Sequence, residues 1–216
     1  VSDSMAGRTI TLAQQKGGSG KTTLAANLAC AYRLEGRRVA LLDTDPQGSL
    51  GRWFMTRRDA LGEADMEFST ASAWGVSYEV EKLRRENDVV IVDTPPKVDA
   101  DLRPALREAD LVLVPVSASH LDVWATESVL ELAKREHRKT LLVLNRARPG
   151  TRLTAEISEN LTELGAEIAE TVLGNRVAYA ESLGRGRAAP EEKRAGAARA
   201  EIAALSTEIA RLIGLA

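Results

Sequence analysis

The stretch Gln15-Lys16-Gly17-Gly18-Ser19-Gly20-Lys21-Thr22-Thr23 constrains the fold more than any other part of the chain. Ahead of it, Arg8-Thr9-Ile10-Thr11-Leu12-Ala13 is β-branched and apolar, as a buried strand is. Behind it, Leu24, Leu28, Ala31 and Tyr32 recur at helical spacing from Lys21 to Glu35, and Gly36 ends the run. Strand, glycine-rich turn and helix in that order aim backbone N–H groups and a helix N-terminus at one anion. The pattern G-x-x-x-x-G-K-[ST] requires glycine where Gln15 stands, so the loop reads K-G-G-x-G-K-T instead. Lys21 is placed to reach the β- and γ-phosphates and Thr22 to bind Mg²⁺. Lys16, at the loop's mouth, is surplus to ordinary phosphate binding.

Short apolar runs alternate with helical stretches along the rest of the chain. The runs are Arg38–Leu42, Val89–Val92, Leu111–Val116, Leu141–Leu144 and a weaker one near Ile168–Leu173. The helices are expected at Ser77–Glu86, Leu102–Ala109, Val123–Glu136 and Leu153–Leu164. A long closing helix runs from Pro190 or Glu191 to Ile213, with Ile202, Leu205, Ile209, Leu212 and Ile213 on its apolar face. The expectation is a doubly wound, mostly parallel α/β sheet with helices on both faces, of P-loop NTPase type, with ligands at the carboxyl ends of the strands. One domain from 8 to 216 has room for a sizeable core, and residues 1–7 are set aside as a disordered or vector-derived N-terminus.

With 29 basic and 31 acidic side chains, global charge points to neither nucleic acid nor membrane, so any such surface must be local. Cys30 is the only cysteine, which excludes a disulfide framework or a cysteine-held metal, and it is expected on the inner face of the first helix. His120 and His137 have no ligand company and are expected at the surface. No signal peptide or long apolar span appears, so the expected location is cytoplasmic.

Two strands end in acids suited to a phosphate-bound metal: Asp43-Thr44-Asp45-Pro46-Gln47-Gly48 follows Leu41-Leu42, and Asp93-Thr94-Pro95-Pro96 follows Val89–Val92. Asp93 is expected to hold Mg²⁺, usually through water. Pro46 stops the first of these strands, so Asp45 can point into the site and orient a water, with Asp43 nearer the metal.

These blocks resemble the ParA/MinD family of deviant-Walker ATPases, and within it the short ParA type without an N-terminal DNA-reading domain. Pro115-Val116-Ser117 with Asp122, and Gly174-Asn175-Arg176-Val177-Ala178-Tyr179-Ala180-Glu181, resemble two further family segments, the latter closing over adenine. The resemblance implies ATP and Mg²⁺ as cofactors and a homodimer that forms on ATP binding, with Lys16 completing the partner's site. It implies phosphate contacts from Gly17, Gly18, Ser19, Gly20, Lys21, Thr22 and Thr23, and base contacts from Asn145, Asn175 and Val177. It makes Asp45 the water-positioning acid and Asp43 the acid near Mg²⁺. It also implies non-specific DNA binding in the ATP state and a ParB-like or cargo-adaptor protein that stimulates hydrolysis.

Basic residues concentrate between Arg138 and Arg152 (Arg138, Lys139, Arg146, Arg148, Arg152) and between Arg185 and Arg199 (Arg185, Arg187, Lys193, Arg194, Arg199). Of these, Arg146, Arg148, Arg152, Arg185, Arg187 and Arg199 are the expected DNA contacts, made through phosphates without reading sequence. A MinD-like membrane switch is the competing reading; the final helix lacks aromatics and carries one basic residue from Glu201 to Ile213, so it reads as docked on the core. A metabolic P-loop enzyme that activates a small carboxylate is the other alternative, and an iron protein is excluded by the single cysteine.

Overall fold

A computed structural model of the protein describes residues 6–63, 65–97, 101–148 and 150–215. Residues 1–5, set aside on sequence grounds, lie outside the described residues, whereas Gly7 already belongs to the fold through a hydrogen bond from its N–H to the Arg84 carbonyl (3.0 Å).

Seven parallel strands form one sheet in the order β3-β2-β4-β1-β5-β6-β7. They are β1 (Arg8–Leu12), β2 (Val39–Asp43), β3 (Glu67–Thr70), β4 (Val89–Asp93), β5 (Leu111–Ser117), β6 (Thr140–Asn145) and β7 (Glu167–Ile168). The central strands are buried on both faces, as their continuous apolar runs require. Helices α1 (Lys21–Leu34), α2 (Ser49–Leu61), α7 (Val177–Leu183) and α8 (Gly196–Ile213) cover one face, where Leu24 and Leu28 meet Ile10, Leu41, Ile91, Leu113 and Ile209. Helices α3 (Gly75–Glu86), α4 (Leu102–Arg107), α5 (His120–Arg135) and α6 (Arg152–Glu163) cover the other. Cys30 is buried on α1, and burial pushes its thiol up.

The weak last strand is shorter and earlier than expected. Only Glu167 and Ile168 pair regularly with β6, while residues 169–174 follow its end by single bonds such as Leu173 N–H to the Leu144 carbonyl (2.9 Å). The closing helix starts at Gly196, because Ala189–Glu191 and Lys193–Ala195 form separate 3-10 turns. Three elements have no counterpart in the sequence reading: α2, β3 and α7. The buried stripe of α2 is Leu50, Trp53, Phe54 and Arg57, so its fourth apolar position is taken by a charge.

That charge is fully satisfied. Arg57 is 1% exposed, and its guanidinium donates to both Asp65 oxygens (2.8 and 2.6 Å), both Glu191 oxygens (2.8 Å each) and the Gly186 carbonyl (3.2 Å). Arg33 on α1 closes the network onto Asp65 (2.8 Å) and Glu191 (3.2 Å). The arrangement uses all five donors of the fork, the condition under which a buried arginine is tolerated. Removing one partner strands charge in the interior: Glu191→Ala should cost about 3–5 kcal/mol in urea unfolding. The exposed Lys82, paired with Glu79, gives the control, since Lys82→Ala should leave the urea midpoint essentially unchanged.

Candidate nucleotide site

Parallel pairing fixes where the chemistry gathers. β4 lies between β1 and β2, with Asp93 opposite Leu12 on one side and Asp43 on the other. The loop after β1 therefore emerges beside both acids, at the carboxyl edge of the sheet and at the switch point between β4 and β5. The result is a cleft of about 420 Å³ lined by Gly17 to Thr23, Asp45, Gln47, Ser49, Trp53, Pro96, Arg146 and Leu183.

The loop's shape depends on glycine at two points. Gly18 and Gly20 have φ of 77° and 98°, which side-chain-bearing residues rarely adopt. A Cβ on Gly20 would also come within 2.5 Å of Asn145 Nδ2. Asn145, at the end of β6, spends that amide on the Ser19 carbonyl (2.8 Å) and its oxygen on the Arg146 N–H (2.9 Å). Its visible work is thus to hold the loop. Gln14, which the sequence reading passed over, braces the other end. Its Nε2 donates to the Pro115 carbonyl (3.3 Å) and to Thr126 Oγ1 (3.0 Å), while its Oε1 accepts from the Gln15 N–H (2.8 Å). A buried polar residue just after a strand, 1% exposed here, is the signal that would have found it.

Lys21 is buried and its ammonium donates to the Gln14 carbonyl (3.0 Å). Burial lowers its pKa, against the pull of Asp93 and Asp45. Thr22 donates its hydroxyl to Asp93 Oδ2 (2.6 Å), so the two expected metal-side groups stand in direct contact. The other Asp93 oxygen is buried with no hydrogen-bond partner. An orphaned carboxylate oxygen beside a threonine hydroxyl and a phosphate loop fits Mg²⁺, which takes few protein ligands and keeps waters and phosphate oxygens. No group of three or more His, Cys, Asp or Glu that could hold a metal ion occurs among the described residues. Asp43 is differently engaged: its oxygens accept from the N–H groups of Asp45 and Gly51 (3.0 Å each), tying the 45–48 loop and α2 to β2. Asp45 lines the cleft and accepts from the Gln47 N–H (2.9 Å).

Lys16 is exposed at the mouth, and its side chain has no acidic partner among the described residues. Asn175 and Val177 are exposed at the entrance to α7. Their segment is fixed from behind by Glu201 of α8, which accepts from the Gly174 N–H (3.1 Å), Arg176 Nε (2.9 Å) and the Tyr179 hydroxyl (2.9 Å). The basic residues divide. β6 separates Arg138 and Lys139, at the amino edge, from Arg146, Arg148 and Arg152 at the carboxyl edge, so the first run is not one patch. Arg146 lines the cleft itself with φ of 53°. Arg148, Arg152, Arg185 and Arg199 are exposed, and Arg187 is half-buried. His120 stands 3.4 Å from Glu156, and His137 is exposed in a turn.

Burial raises Asp93 to about 7. An unfolded aspartate titrates near ~3.9, so between these values the folded protein keeps a proton that the unfolded chain has lost. Asp93 therefore contributes stability to the ligand-free protein at low pH, and that contribution is lost as the pH rises through 7. Urea midpoints should fall from pH 5 to pH 8, and Asp93→Asn should flatten the slope; an unchanged slope would assign it to another group.

The model of the CobQ/CobB/MinD/ParA nucleotide binding domain matches residues 10–189. The chain is 31% identical over 202 residues to the maintenance of carboxysome distribution protein A of Halothiobacillus neapolitanus, covering 85% of this chain and 92% of that protein. It is 31% identical over 181 residues to protein ParA of Rhizobium radiobacter, covering 79% of each. Its fold matches that of the septum site-determining protein MinD of Pyrococcus horikoshii, solved with Mg-ADP, with a TM-score of 0.79 at 18% identity over 96% of this chain and 98% of that one.

Proposed function

The chain belongs to the CobQ/CobB/MinD/ParA nucleotide-binding family, and on that premise we propose that it is a ParA-type positioning ATPase. ATP closes two copies face to face, the closed dimer holds DNA without reading sequence, and a cargo-bound adaptor stimulates hydrolysis and releases it. The cargo class ranges over plasmids, chromosome regions and protein assemblies, and one relative is named for carboxysome distribution.

One observation carries the reading. A complete phosphate loop, with Lys21 inside it, is accompanied by an exposed Lys16 that has no acidic partner among the described residues. A cation held at the mouth of a site that already has its own is suited to a neighbour's phosphates. The same edge carries exposed apolar side chains at the beginnings of helices, Trp74 before α3 and Leu121 and Trp124 in α5, which supports a second copy as the occupant.

Within one site, Lys21 and the loop amides would bind the β- and γ-phosphates, and Thr22 and Asp93 would hold Mg²⁺, which would neutralise phosphate charge when bound. Asp43 stands behind them on β2. Asp45 orients the attacking water, and the partner's Lys16 offsets charge spreading over the transferring oxygens, an effect worth roughly 10³–10⁵ in rate for fingers of this kind. Asn145, Asn175 and Val177 lie on the base side, with Asn145 acting through the loop that it holds. For DNA, Arg148, Arg152, Arg185, Arg187 and Arg199 supply phosphate contacts, and Arg146 stands between that surface and the cleft. A membrane anchor made of α8 is disfavoured, because Ile202, Leu205, Ile209 and Ile213 are buried in the core.

Lys16→Ala should keep ATP binding yet lose the ATP-dependent dimer and about 10³-fold of adaptor-stimulated turnover. Light scattering with ATP tests this directly: a normal dimer removes the trans role of Lys16. Changing Arg148, Arg152 and Arg185 together to Ala leaves the cleft wall intact. That variant should weaken ATP-dependent DNA retention and flatten its dependence on salt; unchanged retention would move the DNA surface elsewhere.

A further inference from the structure

Trp53 belongs to two places at once. It lines the nucleotide cleft together with the phosphate loop. Its indole N–H donates to the Arg187 carbonyl, 3.1 Å away, outside the cleft. One turn further along α2, Arg57 lies 5.6 Å from the centre of the Trp53 ring and donates to the Gly186 carbonyl (3.2 Å). Gly186 (φ 68°) presses its backbone directly on α2, since a Cβ there would fall 2.5 Å from both N and Cα of Arg57. Glu191 then joins the far end of the segment to the same guanidinium.

The other end of α2 starts at the cleft. Gln47 and Ser49 line it, Gly48 (φ 62°) precedes the helix, and Asp43 holds Gly51 to β2. A movement of the Asp45–Gly48 loop would reach α2 through Gly48 and Ser49. Because α2 and residues 186–191 are bonded side chain to backbone and packed backbone to backbone, that segment moves with it. Flanking Gly186 are Arg185 and Arg187, two of the basic residues assigned above to DNA.

We propose that Trp53 is a positioning residue that carries nucleotide occupancy from the cleft to the Arg185–Arg187 segment, presenting its cations to DNA when ATP is bound. The DNA half of this statement rests on the function proposed above; the coupling half does not. Trp53 reports the state of the cleft, Arg57 makes the following segment rigid, and the Arg187 carbonyl receives the signal.

Hydrogen exchange at saturating ATP tests the coupling without DNA. In the wild type, ATP should change protection of the 184–191 amides at least severalfold. Trp53→Phe keeps an aromatic ring but loses the pyrrole half of the indole with its N–H, and should abolish most of that response while thermal melting shows a folded protein. A segment that fails to respond to ATP in the wild type, or responds equally in Trp53→Phe, overturns the proposal. A second measurement avoids altering Trp53 at all. With the exposed Trp74 and Trp124 both changed to Phe, in a variant that light scattering shows to keep its response to ATP, the remaining tryptophan emission comes from Trp53 and should shift on ATP addition; a constant spectrum overturns it as well. DNA retention is then scored separately. A wild type that responds in exchange yet does not stay on DNA removes the DNA reading and leaves the coupling standing. Where the wild type stays on DNA, Trp53→Phe should lower ATP-dependent retention about tenfold, and retention equal to wild type overturns the proposal.

Discussion

The contact between Thr22 and Asp93 is the interaction around which the site is arranged. It joins the first turn of α1 to the end of β4 and so closes the phosphate loop against the sheet. The contact has a cost, because Asp93 is taken almost wholly out of water beside two other carboxylates. Such a group is tolerated where a cation can come to it, and its unpartnered oxygen marks the direction of approach. The ligand-free protein thus holds a strained charge balance that a metal-bound nucleotide would relieve, and binding and folding are thermodynamically linked through one carboxyl group.

Much of this was legible in the sequence because the decisive parts are local. The loop from Lys16 to Thr23 and the acids after two apolar runs are contiguous, and parallel strands order their carboxyl ends without further information. Buried strands such as Val89–Asp93 announce themselves because both faces are apolar. What escaped depends on pairings distant in sequence. Helix α2 hid because Arg57 occupies a buried position, and an arginine is acceptable there only if Asp65 and Glu191 are known to surround it. Edge strand β3, four residues long and only partly buried, carries too little apolar signal to stand out.

The same distinction explains the residues whose visible task differs from the expected one. Asn145 and Asp43 are polar side chains at strand ends, which is where ligand contacts are sought. In the structure both hold backbone: Asn145 holds the phosphate loop at Ser19, and Asp43 holds the start of α2 at Gly51. Sequence can place a polar group at an edge, but whether it faces ligand or main chain depends on what the next loop leaves unsatisfied. The basic run from Arg138 to Arg152 failed as a single patch for a simpler reason. A six-residue strand spans roughly 20 Å, so residues close in sequence stand at opposite edges of the sheet.

The brace at Gln14 bears on how Lys16 would act in the proposed dimer. A cation that must reach a neighbouring phosphate needs a fixed backbone and a free side chain, since a mobile backbone would spend the interaction on ordering itself. Gln14 meets the first requirement by anchoring to Pro115 and Thr126 and accepting from Gln15 and, at the limit of 3.5 Å, from Lys16. Ser128 of α5 adds a bond to Gln15 (2.9 Å). The second requirement is met because no acid among the described residues claims the Lys16 ammonium. Lys21 is 7% exposed and is tied to the Gln14 carbonyl inside its loop. In the proposed dimer, two lysines five residues apart would serve different nucleotides, with one glutamine holding the backbone of both.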